Sequence, residues 1–495
     1  MNMDTLLQEL YIDWFSNKQY WFSYNLQIDT YLCDKYISLL EYQNDYNNLS
    51  KTELIALIIV YDQLPRHYVR VYSNLDVDFY SQKATYISKI LLHKYDNLKV
   101  DELCFIYLPF RHINDLNYIY KIIKIFITLY NNSHNIDKIT CKKYIRNTLE
   151  RSYKLTTEYQ LTHNNVNNVN NTNINKNILD TQSIKYEQTV DIEQLIKIEY
   201  NKIKTDNIII VSLSGGVDSV TALHILQKYH KNIIAVHIDY KNSKDELNFV
   251  KYYCNSLNIK LLYRTVNEIT RDECLHNGLR DLYEDITKKI RFNLYNIIES
   301  QYVLLGHNKD DCFENIITNI GNKNNYNNLC GMSVLSTIDN INLWRPMLNI
   351  DKKEIIAYAN KHNLDYLCDS TPKWSVRGKI RDHIRPSIET IQNTNMIESF
   401  FILKDKLEES NIILDLLVDN LLLKYDKGIY TDNEIKTLKY VSVSSIFFRK
   451  LNIKVSYKTL KDFAKIKEQR FILNKNYSII IKNNTLVILH KNDLQ

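Results

Sequence analysis

Residues 207–219 read NIIIVSLSGGVDS. An apolar run of strand character stops at about Leu213, two adjacent glycines follow, and a helical pattern starts near Val217. The chain spends only eight glycines over 495 residues, so Gly215 beside Gly216 marks a turn that needs positive φ or close backbone approach. A turn that feeds a helix N-terminus offers free N–H groups and the positive end of a helix dipole to an anion, with the hydroxyls of Ser214 and Ser219 as further donors. The stretch is therefore expected to bind phosphate. It is neither the G-x-x-x-x-G-K-[ST] loop nor the dinucleotide G-x-G-x-x-G. An acid in such a cradle, Asp218, makes sense if it holds Mg²⁺ that bridges phosphates. The alternative is a glycine turn capped by serine and aspartate.

Outward from this stretch, short apolar runs alternate with helical segments: NIIIVSL, VTALHILQKYH, NIIAVHID, KDELNFVKYYCNSL, NIKLLYR and, later, QYVLLGH. That alternation predicts an α/β domain with a parallel sheet. Seven of the eight glycines fall between 215 and 378, which concentrates special backbone geometry there. Four segments are expected: an all-helical domain over 1–155, an Asn-rich linker over 156–200, the α/β domain over 201–395 and a small mixed α+β basic domain over 396–495. The linker contains LTHNNVNNVNNTNINKN (161–177), which has too little apolar content to offset ordering entropy.

GHNKDDCFENI (306–316) reads as a strand end passing into a helix. Asp311 and Glu314, three apart, share a helical face, while Asp310 points about 100° away. Acids beside a phosphate site would hold Mg²⁺ or the ammonium of an amine substrate; alternatively they complement the helix dipole. Arg377 and Arg381 are four apart and would reach one phosphate-rich ligand, or form a solvated face. His237, ending a strand in AVHIDY, reads as structural.

S-G-G-V-D-S after a strand resembles the signature of the PP-loop family of ATP pyrophosphatases. Within it, residues 205–390 most resemble the tRNA(Ile)-lysidine synthetases, with a fainter likeness to 495. His307, Asp310, Asp311 and Glu314 match that family's G-H-H-x-D-D-x-x-E-T; Asn308 and Asn315 depart from it. Arg345, Pro346, Asp369, Arg377 and Arg381 match its later segments, Gly378 stands where Asn is usual, and Arg291 matches an arginine on a helix facing the nucleotide. The resemblance implies an ATP-dependent ligase that adenylates C2 of an anticodon cytidine in tRNA and lets free lysine displace AMP. It places the phosphates at Ser214, Gly215, Gly216, Val217 and Ser219, and Mg²⁺ at Asp218 and Asp311. It places lysine at Glu314, and the nucleotide or activated base near Arg377, Arg381, His307 and Arg291. A tRNA thiolase of the same superfamily is one rival, disfavoured because no cysteines are paired for sulfur chemistry. A noncatalytic RNA-binding scaffold is another, disfavoured by the intact glycines and acids.

LIALIIVYDQLPRHYVR (54–70) and ELCFIYLPFRHINDL (102–116), after the Trp14-Phe15 and Trp21-Phe22 pairs, resemble an uncharacterised bacterial helical family. That likeness implies a helical-repeat array and no activity. Asp62, Gln63, Arg66, His112 and Asp115 are candidates to line a polar groove, or to serve as core and cap residues.

The net charge is +6, and residues 401–495, with 17 Lys and Arg against 11 Asp and Glu, account for all of it. An acidic partner such as tRNA is expected at that end, especially at 436–475. Eight scattered cysteines without a C-x-x-C pair suggest neither a zinc knuckle nor a disulfide framework. No apolar run reaches the roughly 18 residues of a spanning helix, and MNMDTLLQEL lacks a signal-peptide profile. A cytoplasmic location without membrane partners is expected. Oligomeric state is left open.

Overall fold

A computed structural model describes residues 3–21, 25–42, 45–155, 160–162, 189–241, 244–275, 278–322, 328–368, 375–391, 395–425, 428–466, 470–482 and 484–491. The Asn-rich run 163–177, Phe22 and Asp369 lie outside them. The chain forms two compact units. The first takes Met1–Asn165, Val236–Leu247 and Lys260–Ile298; the second takes Val166–Ala235, Asn248–Ile259 and Glu299–Gln495.

The first unit is mainly helical. Its central helix, Lys51–Asp62, is buried at every position from Leu54 to Asp62, as a helix apolar on all sides must be. Ser50 and Glu53 form a capping box at its start. Pro65 and Pro109 each open a short helix, Leu64–Val71 and Leu108–His112, where a missing N–H costs nothing. Trp14 is buried and meets Phe105 edge to face at 5.4 Å. Helix Asn135–Leu155 is tied to helix Arg280–Ile297 by Lys142–Asp281 at 2.8 Å and Lys289–Glu150 at 2.9 Å. Strand β1 (Gln160–Thr162) pairs antiparallel with β4 (Lys260–Thr265) in this unit.

In the second unit, β2 (Ile209–Ser212) runs parallel to β5 (Tyr302–Leu304), with Ile209 opposite Tyr302. β5 runs parallel to β7 (Ile341–Trp344), and β6 (Leu335–Ile338) closes that edge antiparallel. Strand β3 (Ile233–Asp239) has residues in both units. The expected parallel pairing is present in β2, β5 and β7, and β2 is buried along most of its length, as a strand inside a parallel sheet is.

Helix Ile192–Ile203 begins within the segment expected as a linker, 156–200, and runs on into the next. It buries Ile192, Ile196, Tyr200 and Ile203, a spacing of three to four that packs one face and offsets the ordering cost. The last part of the chain joins helices to the antiparallel strands β8 (Arg470–Ile472), β9 (Tyr477–Lys482) and β10 (Thr485–His490). Its core runs from Val418 and Leu421 through Phe447, Phe448 and Phe463 to Ile479 and Leu486. Among the described residues no helix is long and apolar enough to cross a membrane. None of the eight cysteines is in a disulfide, and only Cys368 is exposed.

Candidate functional site: a glycine turn facing paired acids

The site residues of the second unit follow the carboxyl ends of β2, β5 and β7, where open parallel sheets place their ligands. After β2 the chain turns at Gly215, whose φ is +87°. A Cβ there would lie 2.6 Å from Leu367 Cδ1 and 3.2 Å from Phe249 Cδ1, so both the dihedral and the space require glycine. Gly216 caps helix Val217–Leu226 without any side-chain cap bond, so no cap side chain takes up the first N–H groups of that helix. The loop is anchored by Leu367 N–H donating to Gly215 O at 2.9 Å.

Ser219 is buried. Its hydroxyl donates to Gly216 O at 3.0 Å, lies 3.1 Å from Ser214 Oγ and accepts from Ser214 N at 3.2 Å. Ser219 thus braces the turn from within, while Ser214 is exposed at its rim. Val217, the first helical residue, is buried.

After β5, Gly306 presses its backbone on the same turn. A Cβ at Gly306 would meet Ser219 N at 3.0 Å and Asp218 C at 3.1 Å. Asn308 then caps helix Lys309–Gly321 in a reciprocal box with Asp311: Asp311 N–H donates to Asn308 Oδ1 and Asn308 N–H to Asp311 Oδ2, both at 3.1 Å. Asn308 Nδ2 also donates to Asp218 Oδ1 at 3.0 Å. One side chain therefore couples both acids. Burial and the neighbouring Asp218 charge push the Asp311 carboxyl above its ordinary value, opposed by its backbone bond and by Arg377 and Lys352.

One residue that the sequence left unremarked is Lys352, at the start of helix Lys352–Lys361; its Nζ bonds Asp218 Oδ2 at 2.5 Å. A lysine opening a helix carries no sequence signal of its own, and its partner lies 134 positions away.

Of the three acids of the motif, Asp310 diverges from Asp311 and Glu314, as its helical phase requires. Asp310 pairs with Arg385 Nη1 at 2.7 Å, away from the loop acids. Glu314 is 3% exposed and its Oε1 accepts from Arg381 Nε at 2.9 Å and Nη2 at 2.8 Å. Its Oε2 is buried and has no hydrogen-bond partner among the described residues. Burial raises the Glu314 carboxyl above its ordinary value, although Arg381 and Arg377 oppose the shift. Arg377 is exposed, one turn before Arg381, and its charge acts on both Asp311 and Glu314.

After β7, Arg345 is buried. Its Nε donates to His307 Nδ1 at 3.2 Å and its Nη1 to Ser333 O and Ser336 Oγ, each at 2.9 Å. Arg345 orients His307 and braces the sheet edge. Arg291 lies on helix Arg280–Ile297 of the first unit, half-buried. His237 is buried on β3. Asp115 accepts from Asn117 N and caps helix Leu116–Asn132; Gln63, another candidate for a polar groove, stands at the junction of helices Lys51–Asp62 and Leu64–Val71 and caps them through its backbone.

Residues 187–388, which hold this turn and its facing acids, match the PP-loop domain family. Residues 11–168 match a second family, a bacterial protein of unknown function (DUF924). Among curated proteins, the chain is similar to the tRNA(Ile)-lysidine synthase of Borrelia garinii subsp. bavariensis. The two are 29% identical over 301 residues, 56% of this chain and 65% of that protein. It is also similar to the tRNA(Ile)-lysidine synthase of Mesoplasma florum, 28% identical over 59% of this chain and 79% of that one. The chain thus spans somewhat under two thirds of the Borrelia protein's length. Among solved structures, the U34-tRNA thiolase NcsA from Methanococcus maripaludis aligns with a TM-score of 0.37 at 17% identity, covering 44% of this chain and 78% of that one.

Proposed function

We propose that the chain is an ATP-dependent tRNA-modifying ligase that joins free lysine to C2 of an anticodon cytidine, releasing AMP and pyrophosphate. The observation that carries the reading is the buried Glu314 carboxylate, half held by Arg381 and half open at Oε2, on the helix whose cap couples Asp311 to the loop acid Asp218. An anion cradle next to a carboxylate with a spare acceptor suits a reaction that uses a triphosphate and an ammonium together.

In the first step, the cytidine O2 attacks the α-phosphorus of ATP and the bond from that phosphorus to the bridging oxygen breaks, so pyrophosphate leaves. The helix N-terminus at Gly216–Val217 and the loop N–H groups would hold the departing phosphates. In the second step, the lysine amine, freed of its extra proton, attacks C2 and the C–O bond to AMP breaks. Glu314 Oε2 would accept a hydrogen bond from that amine, and Arg377 would neutralise phosphate charge at the rim. Asp218 and Asp311 suit a Mg²⁺ ion, because this metal takes one or two carboxylates and completes its shell with phosphates and water. When bound, it would offset negative charge on the pyrophosphate group. Lys352 and Asn308, which hold Asp218 at 2.5 and 3.0 Å, keep that carboxylate aimed at the loop. The exposed cations of the last hundred residues would grip the tRNA backbone.

Chromatography of nucleotides after incubation with ATP, lysine and tRNA tests the first step. AMP with pyrophosphate, lost in D218A, supports the reading; ADP as the product overturns it.

A further inference from the structure

The first unit carries a helix whose outer face serves neither its core nor the ligase reaction. Helix Val77–Lys94 buries one side, from Ser81 to Leu91, and on the other sets Phe79, Lys83 and Tyr86 in line at i, i+4 and i+7. Phe79 is 49% exposed and Tyr86 59%. From Phe79 to Lys94 the helix carries Lys83, Lys89, His93 and Lys94 but no acid.

The cations of this face lie on its rings. Lys83 Nζ is 4.6 Å from the centre of the Phe79 ring, 5.7 Å from that of Tyr80 and 5.3 Å from that of the buried Tyr61. Tyr118, on helix Leu116–Asn132, has Lys89 at 6.0 Å and Lys121 at 5.9 Å from its ring centre. Tyr46 meets Tyr86 edge to face at 6.3 Å. Lys83, Lys89 and Lys121 make these ring contacts and no ion pair among the described residues.

Single exposed aromatics are ordinary on a protein surface, but here rings and cations of one sign alternate along one strip. Cations without counter-charges call for an anion, and exposed rings call for a flat apolar group. A nucleic acid strand supplies both, phosphates for the lysines and bases for the rings. Seven residues separate Phe79 from Tyr86, which is about 10 Å along the helix axis, whereas stacked bases are about 3.4 Å apart. The two rings therefore suit bases splayed out from an open strand, not a duplex. A helix seated on a membrane keeps its cations on the face opposite its apolar side chains; here they share one face.

We propose that this face of helix Val77–Lys94, extended by Tyr118 and Lys121, binds single-stranded nucleic acid, with bases stacked on Phe79 and Tyr86 and phosphates at Lys83, Lys89 and Lys121. The surface lies within residues 79–121, outside the PP-loop domain, and is independent of the ligase reading.

Hydrogen exchange on the full chain tests the proposal, with a uridine dodecamer, a thymidine dodecamer, an abasic dodecamer of the same charge, a blunt RNA duplex or phosphatidylserine vesicles. The uridine or thymidine strand should slow exchange across residues 77–94, about tenfold at ten times its Kd; the abasic strand, the duplex and the vesicles should not. Protection by one strand alone would identify RNA or DNA as the ligand, and protection by both would admit any open strand. F79A/Y86A should raise the strand concentration for half-protection of 77–94 at least about fivefold. K89Q should flatten the log–log salt dependence of that protection by about 0.7. Any strand-dependent protection at residues 436–466 should persist in both variants as an internal control. All three substitutions fall at exposed positions, and each variant removes a different kind of contact, so either one tests the face if the other unfolds. Absence of protection by both strands, equal protection by the abasic strand, the duplex or the vesicles, or protection unchanged in the folded variants would overturn the proposal.

Discussion

Replacing Gly215 by alanine, beside the same change at Gly216, separates the geometry of the loop from its composition. At Gly215 the φ of +87° costs an L-residue about 1–2 kcal/mol, and the new methyl falls 2.6 Å from Leu367 Cδ1. Leu367 is fixed by its own backbone bond to Gly215 and by a bridge to Gly216, so it yields only in part, and overpacking of this kind adds about 1–3 kcal/mol. The total is about 2–5 kcal/mol against the native turn. If that energy falls on the phosphate-binding conformation, G215A loses at least about 30-fold in kcat/KM for ATP. At Gly216 the φ is −72° and the nearest atom to a new Cβ is Ser214 Oγ at 3.6 Å, an ordinary contact, so G216A should stay within about threefold. Steady-state AMP formation at varied ATP, with folding checked by circular dichroism, reads both. Equal losses in the two variants, or a mild G215A, would refute the account of the turn.

Other outcomes follow from the same coordinates. D311N keeps an oxygen for the Asn308 N–H but removes a carboxylate that burial and Asp218 oppose; it should melt no lower than wild type at pH 7.5 while AMP formation is lost. His67 is buried with its pKa depressed by burial, although Asp29 opposes the shift. Below the ordinary value of 6.5 the unfolded chain binds a proton that the folded chain does not. Stability should therefore fall as pH drops from 6.5 toward the depressed value, and H67Q should flatten melting curves compared at about pH 5.5 and 7.5. Alanine at the exposed Lys454, Lys458 and Lys461 should flatten the log–log salt dependence of tRNA binding by about 0.7–0.9 per lost phosphate contact, read by anisotropy. Substitution is the right perturbation there, since residues 436–495 share a core with Val418 and Leu421 that truncation would open.

The loop was legible because glycine is scarce in this chain, and its position between a strand and a helix fixed what two adjacent glycines had to do. The phases of Asp310, Asp311 and Glu314 were legible from helical geometry alone: Asp311 and Glu314 share a face on which the Arg377 charge acts, and Asp310 points away to Arg385. The partners themselves were less so. Arg381 was singled out for a ligand, yet it holds Glu314 across 67 positions. Asn308 departs from the family motif and still couples Asp218 to Asp311, because an amide can cap a helix and donate at the same time. Helix Ile192–Ile203 was obscured by the Asn-rich run before it, although its apolar spacing was in view.

The central claim is tested most directly by mass spectrometry of nucleosides from tRNA incubated with the protein, ATP and isotopically labelled lysine. The account predicts a cytidine carrying the intact lysine label, formed one for one with AMP and absent with D218A. A sulfur-bearing nucleoside, or AMP formed with no label entering the tRNA, would contradict it.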